Sequence, residues 1–414
     1  MGSVIFWLSL VLLSLSTGFR ALLEPRPRPI GPLRFSTQPH EAYLEALTSG
    51  TWVKFISGAS NQDVPLVRNL CFVYTLAGVD CVDVSADDAV IRAATDGIDA
   101  AMIHSTTSTR ARPLLMISVN DDEDPHFRKA VFDPAVCPIT CPRPCEKVCP
   151  AWAIPPLSPG GGGSGGTGVI AERCYGCGRC LSACPLGLIA AVPYQVEKTA
   201  ITRLFADGAA DAIEVHTLAG HEAAFADLWA GIGEAVLGRA KVLAVSFPDM
   251  GADTLPYLRR LQTVIAGHPA WPQFAGVQVW QADGRPMSGD LGKGTAHKAS
   301  SLAAQLLTDM SAPAVAAEAT AASHGGVEVA SGRQFVQLAG GTNQHSAESA
   351  ARDGLLGATG FGGFAFGGYA RKALNARLHA VEDQFPGAHV EDHPDVLAAC
   401  VDFAHALVAS VKGK

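Results

Sequence analysis

The sequence predicts an α/β fold: a (β/α)8 TIM-like barrel interrupted by one cysteine-rich insert. Three observations carry this. From Thr51 onward, short and nearly continuously apolar runs recur, each followed by a segment with helical apolar spacing. Strands of that kind belong to a parallel sheet covered on both faces. With the insert set aside, about 270 residues remain, close to the ~250 typical of a closed barrel. Third, eight of the 11 cysteines fall between Cys137 and Cys184, which sets that stretch apart. An open doubly wound sheet is the competing arrangement of the same elements.

The elements follow in order. Trp52–Ser57 is a β-rich run ending at Gly58, and Val64–Ala77 has helical spacing ended by Gly78. Asp80–Ser85 is the second strand, and Asp87 or Asp88 caps a helix through Ala101. Pro113–Val119 is the third strand, so the cysteine segment leaves from the barrel end where active sites lie. Beyond it, helices are expected at Val196–Ala206, His221–Leu237, Thr254–Ala266, Ala296–Met310, Ser346–Gly354 and Tyr369–Gln384. Strands are expected at Ala212–His216, Lys241–Phe247, Gly276–Trp280, Gln334–Ala339 and Gly362–Phe366. The resulting organisation is a targeting segment at 1–40, barrel at 51–136, insert at 137–192, barrel again at 193–384 and a C-terminal extension at 385–414.

Composition narrows the function classes. A net charge of −8 with no Lys/Arg stripe argues against nucleic acid as a partner. The apolar run Val4–Leu15 is short for a membrane span and fits a signal-peptide core. Arg20, Arg26, Arg28 and Arg34 follow among four prolines with one acid, Glu24, as in an organelle transit segment. Together they suggest a two-part address to the plastid stroma and no stable span in the mature chain. A plain secretory signal or a membrane anchor is the alternative.

The second cysteine run reads Cys174-x2-Cys177-x2-Cys180-x3-Cys184-Pro185, the ligand spacing of bacterial ferredoxin-type [4Fe–4S] clusters. One tight loop presents three thiolates, and Gly176 and Gly178 permit its turns. The first run, Cys137-x3-Cys141-x3-Cys145-x3-Cys149-Pro150, keeps the last spacing but widens the earlier gaps. It predicts a second cluster and leaves a three-iron [3Fe–4S] form open. With ligands crossing over, Cys149 would join Cys174, Cys177 and Cys180, and Cys184 would join Cys137, Cys141 and Cys145. Zinc knuckles and disulfides fit this spacing less well. Cys71, Cys81 and Cys400 sit in apolar surroundings as core residues, and the Gly/Ser stretch 158–168 reads as a flexible linker.

Late glycine loops supply a second candidate site. Gly340 and Gly341 follow one strand, and Gly367 and Gly368 follow the next, with Arg371 and Lys372 close behind. In many barrels such loops bind the phosphate of FMN or another phosphate-bearing ligand, and equally they turn the chain at the rim. Gly289–Thr295 also looks like a phosphate loop, but without the spacing of a P-loop. Asn61, Asp83, Asn120, Asp121, Glu214, His216, Asp249 and Asp283 stand at strand ends and are candidates to face the mouth. A lone histidine such as His216 is more often structural than catalytic, and no catalytic set is singled out.

Several stretches resemble the LdpA family, the light-dependent period proteins of cyanobacteria and plastid-bearing organisms. They are Lys54–Asn61, Cys145–Ile154, Cys174–Pro185, Glu214–Thr217, Arg285–Thr295 and Gln337–Asn343. The resemblance implies an iron–sulfur redox protein, linked in cyanobacteria to sensing redox state for the circadian clock. The expectation is a chain with two iron–sulfur clusters that transfers single electrons or senses photosynthetic redox state, served by a redox partner protein or electron carrier. An iron–sulfur flavin-dependent reductase using the barrel mouth is the alternative, and a scaffold with clusters as staples is a third reading.

Overall fold

In the computed structural model, the described residues are 39–105, 111–156, 168–284, 296–311 and 334–413. The expected leader, most of the Gly/Ser linker and the Gly289–Thr295 loop lie outside them.

The chain opens with helix α1 (Pro39–Thr48), strand β1 (Trp52–Gly58), helix α2 (Val64–Ala77), strand β2 (Cys81–Ser85), helix α3 (Asp88–His104) and strand β3 (Leu114–Asn120). Asp63 caps α2 through the Leu66 amide, and Gly78 closes it at φ 91°. Asp87 caps α3, accepting from the amides of Ala89 and Val90. The chain then leaves the barrel for strand β4 (Arg128–Val131), helices α4 (Pro144–Val148) and α5 (Arg179–Ala183), and strand β5 (Ala190–Pro193). It returns with α6 (Lys198–Ala206), β6 (Ala212–His216), α7 (Glu222–Leu237), β7 (Val242–Pro248), α8 (Thr254–Ala266), β8 (Val277–Gly284) and α9 (His297–Ser311). It finishes with β9 (Gln334–Leu338), α10 (Ser346–Arg352), β10 (Phe361–Phe366), α11 (Gly368–Gln384) and α12 (Pro394–Lys412).

The sheet is a closed barrel in the order β1-β10-β9-β8-β7-β6-β3-β2, and each strand pairing in it is parallel. The closed barrel expected from the sequence is therefore what forms, and the open sheet is not. β4 and β5 pair antiparallel in a separate two-stranded sheet, so the insert begins ahead of residue 137. These strands, RKAV and AAVP, are only four residues long and neither alternates, which hides them from periodicity.

Two helices were not among the expected elements. α1 begins at Pro39, inside the stretch read as an address, and Tyr43 and Leu47 are buried against the barrel floor. α12 lies within the expected C-terminal extension. By length and composition it is apolar enough to cross a membrane, yet it packs on α2 and buries Leu397, Cys400, Ala404, Leu407 and Val408. Lys412 at its end pairs with Asp80 at 2.6 Å.

The barrel interior has two storeys. The floor is apolar: Trp52, Cys81, Leu114, Met116, Ala212, Ala244, Val277, Val279 and Phe335 form one cluster. The upper storey is polar and buried, with Lys54, Asp83, Ser118, Glu214, Ser246, Gln281 and Gln337. Larger apolar side chains between strands and helices make the main core.

Barrel closure depends on a close approach of β1 and β10. Trp52 pairs with Gly363, whose φ is 140°. A Cβ at Gly363 would lie 2.1 Å from the Trp52 carbonyl oxygen. Gly363→Ala should therefore cost about 2–4 kcal/mol of stability, through backbone strain and strand separation. A chemical-denaturation midpoint equal to that of the parent chain would refute this account of the closure.

Candidate functional site: the cysteine insert and the barrel mouth

The insert has its own small core of Ala130, Phe132, Ala151, Ala153, Ile154, Val169, Tyr175 and Ile189, in which Cys145, Cys174 and Cys180 are also buried. Cys149, Cys174, Cys177 and Cys180 line one cavity with Ala130, Ile154, Val169 and Tyr175. Cys145 is near enough to Cys184 and Cys137 to sense their charge, although burial is the larger influence raising its thiol. The two runs thus interleave: the last cysteine of the first run stands with the first three of the second, and Cys184 stands with the first run.

Backbone amides point at the sulfurs. Ala130 donates to Cys174 Sγ at 3.4 Å, Ala153 to Cys149 Sγ at 3.3 Å and Leu188 to Cys184 Sγ at 3.4 Å. Against the cost of burial, the amides of Leu188, Leu186, Gly187 and Ile189 hold the Cys184 thiol below its usual value. Burial instead pushes Cys180 up to about 12, with Cys177, Cys174 and Cys149 adding to the rise. Neighbouring buried thiols that raise one another call for a positive centre to bind their deprotonated forms. An apolar shell with amide donors to sulfur is the environment that suits an iron–sulfur cluster. The turns are tight for a reason: Gly178 has φ 74°, and a Cβ at Gly176 would lie 2.6 Å from the Arg128 carbonyl oxygen.

The insert is tied to the barrel. Lys129 Nζ donates to the carbonyls of Ser60, Ala171 and Cys174, the last at 2.7 Å. Tyr194 Oη donates to Ala59 O at 3.2 Å, and Asn375 donates to Pro150 O at 3.3 Å. Arg371, expected beside a phosphate, instead lies 4.4 Å over the Tyr175 ring and donates to Ile56 O at 2.8 Å. The glycine loops do come together, since Thr342 Oγ1 donates to Ala365 O at 2.5 Å. Gly340 has φ 60° and abuts the Asp283 carbonyl, where a Cβ would lie 1.9 Å away. Gly367 caps α11 and Gly368 begins it. The Arg371 guanidinium stands between the insert and these loops, over Tyr175 on one side and within 3.6 Å of a Cβ placed at Gly367 on the other.

At the mouth, the structure gathers residues from several strand ends. Lys54 of β1 is fully buried and pairs with Glu214 of β6 in a short contact, with Asp83 at 3.8 Å. Glu214 also accepts from Gln281 Nε2 at 2.6 Å and lies 3.0 Å from His216 Nε2. Ser118 donates to Asp83 at 2.8 Å, and Ser246 to Asp283 at 2.9 Å. Of the strand-end candidates, Asp83, Glu214, His216 and Asp283 meet here. Asp121 pairs with His221 at 2.9 Å, Asn120 donates to the carbonyls of Asp122 and Tyr194, and Asn61 to Ser57. Asp249 caps a turn by accepting from the Gly251 amide. Lys54 was missed as a site residue, although a lysine within an otherwise apolar strand was a visible signal. Asp124 and His126 lie in the turn after β3, and no spacing in the sequence joins them to His216 of β6.

The charges sort themselves by burial and pairing. Desolvation opposes the Glu214 carboxylate, but Lys54 and His216 outweigh it and hold it well below its usual range. Asp83 goes the other way: burial, then the neighbouring Glu214 charge, raise it from 3.8 to about 7. One lysine thus serves one carboxylate. Asp83 binds its proton more tightly folded than unfolded, so its contribution is full below pH 3.8 and is lost as pH rises through about 7. Asp83→Asn should therefore flatten the decline in stability between pH 4 and pH 8, which denaturation at a series of pH values measures. Lys54→Met leaves the buried Glu214 without its lysine and should cost about 3–5 kcal/mol; an unchanged denaturation midpoint would remove the pair from this account.

Comparison with known proteins agrees with this arrangement. Residues 137–195 match the LdpA Fe-S cluster-binding domain, and residues 204–319 and 314–410 match the Light dependent period A C-terminal domain. Light dependent period A of Synechococcus elongatus is 41% identical over 372 residues, covering 89% of this chain and 93% of that protein. Among solved structures, tryptophan synthase subunit alpha from Legionella pneumophila aligns with TM-score 0.40 and 11% identity, over 92% of this chain and 100% of that one. A 2,3-dimethylmalate lyase aligns with TM-score 0.34 and 12% identity, over 87% and 94%. The barrel itself is read from the strand order. With its cysteine insert matching an iron–sulfur-binding domain, the later part of its barrel matching the domain that follows, and 89% of the chain aligned with a 41% identical relative, the chain belongs to the Light dependent period A family of iron–sulfur proteins.

Proposed function

We propose that the chain is a redox protein that holds two cubane-type clusters, passes single electrons, and reports redox state to a partner. The observation that carries this reading is the interleaving of the two cysteine runs around a small apolar core with amides directed at sulfur. When bound, each cluster supplies a one-electron couple. The protein's own contribution is to set that couple. Ile154, Val169 and Tyr175 exclude water, and the amides of Ala130, Ala153 and Leu188 stabilise the added negative charge on reduction.

Exposed apolar side chains around the insert support an electron carrier or redox partner protein as the second participant. Ile139, Trp152, Val136 and Leu186 are 90%, 59%, 57% and 53% exposed. Trp152 holds a left-handed backbone, φ 54°, to remain outside. The need for reduced thiols supports a reducing compartment such as the plastid stroma.

Anaerobic reconstitution should yield about eight irons and eight sulfides per chain, with two distinguishable EPR signals on reduction. Cys149→Ala and Cys177→Ala should weaken the same signal, and Cys145→Ala and Cys184→Ala the other. Zinc bound in place of iron, or one signal lost by all four variants alike, would overturn the two-cluster reading.

A further inference from the structure

We propose that Asp124, His126 and His216 bind one divalent transition-metal ion at the mouth of the barrel, separately from the cysteines. His126 Nδ1 lies 2.8 Å from Asp124 Oδ1, and His216 Nδ1 lies 3.9 Å from the same oxygen. The three potential ligand atoms all lie within 4.8 Å of one another. Ligands about 2.1 Å from an ion stand about 3 Å apart when adjacent and about 4.2 Å apart when opposite, and the 2.8 Å and 3.9 Å separations from Asp124 Oδ1 lie close to that range. Two imidazoles and one carboxylate are a donor set for iron(II), manganese(II) or zinc(II).

The surroundings fix the ligands as metal sites do. The other ring nitrogen of His216, Nε2, faces Glu214 Oε1 at 3.0 Å. Lys54 and Gln281 hold that carboxylate in turn. A histidine with one nitrogen on a carboxylate and the other aimed into a ligand cluster is the usual second layer of a metal site. The Phe127 ring packs edge-on against His216 at 5.2 Å, locking its plane. Asp124 is held by a local turn, accepting from the His126 amide at 2.7 Å. His216 and His126 approach to 4.9 Å between ring centres, so the two imidazoles converge on the one carboxylate.

Charge and access agree. Asp124 and Glu214 flank His216 at 3.9 Å and 3.0 Å, and a cation between the imidazoles balances their charge. The Asp124 and His216 side chains are 4% and 8% exposed, while that of His126 is 25% exposed. The site is thus closed on the barrel side and open on the His126 side, where water or a small anionic ligand completes the coordination. The same loop runs directly into β4, whose Ala130 amide donates to Cys174 Sγ.

Zinc is the probe. The full chain, with its clusters reconstituted, is dialysed against zinc, and bound metals are counted. One equivalent of zinc beyond the cluster iron is expected. His126→Ala and the conservative Asp124→Asn should each weaken its binding by more than about tenfold, with iron and sulfide unchanged. Cobalt(II) in the same site should give weak visible bands without thiolate charge transfer. No zinc equivalent, an equivalent retained by both variants, or a cobalt spectrum dominated by thiolate charge transfer would overturn the proposal. Unchanged iron and sulfide in the variants separates loss of this site from failure of the insert to fold.

Discussion

The buried ion pair between Lys54 and Glu214 is the constraint on which the upper barrel depends. The two residues stand three strands apart around the closed sheet, β1 and β6, and neither reaches solvent. Removing two charges from water is expensive, so such a pair persists only when its remaining valences are filled. Glu214 meets that condition through Gln281 and His216. Lys54 has Asp83 and Met116 Sδ within reach. The pair therefore does more than join two strands. It orients His216 from behind, while burial and then the Glu214 charge raise Asp83 to about 7.

The cysteine insert is bound into this arrangement, which makes it more than an appendage. Its entry passes through Asp124–Phe127 beside His216, and its exit passes through Tyr194, whose hydroxyl donates to the loop after β1. The carbonyl of His126 accepts from Ser60 in that same loop, and Lys129 reaches back to the Ser60 carbonyl. Arg371 links the far side, from Tyr175 to Ile56. The insert and the mouth are thus positioned by the same residues of the loop after β1.

Much of the barrel was legible in the sequence because its strands are buried on both faces and so read as apolar runs. Ala212–His216 and the helices Val64–Ala77 and Thr254–Ala266 have the boundaries the sequence suggests. The cysteine spacing was legible because thiolate ligation imposes local geometry. The mouth was legible only in part. Asp83, Glu214, His216 and Asp283 were visible at strand ends, but no spacing shows that three different strands bring them together. Asp124 and His126 gain their meaning from the fold of a turn, and Arg371 from a ring 196 positions earlier in the chain, Tyr175. β4 and β5 were illegible because neither is long enough to show a period and their pairing spans the whole insert.

The division of the barrel into storeys explains how one chain carries both a stable fold and a charged interior. The floor, from Trp52 to Phe335, is an apolar cluster. Closure is completed there by α1 from below and by the contact between Trp52 and Gly363. Stability of that kind needs no help from the mouth, so the upper storey is free to bury lysine, carboxylates and imidazoles in arrangements that would destabilise an unsupported core. The insert leaves from the polar storey, after β3, and not from the floor. Two chemistries, sulfur ligands in the insert and nitrogen and oxygen ligands at the mouth, therefore occupy the same end of one barrel, and the apolar floor is what permits both.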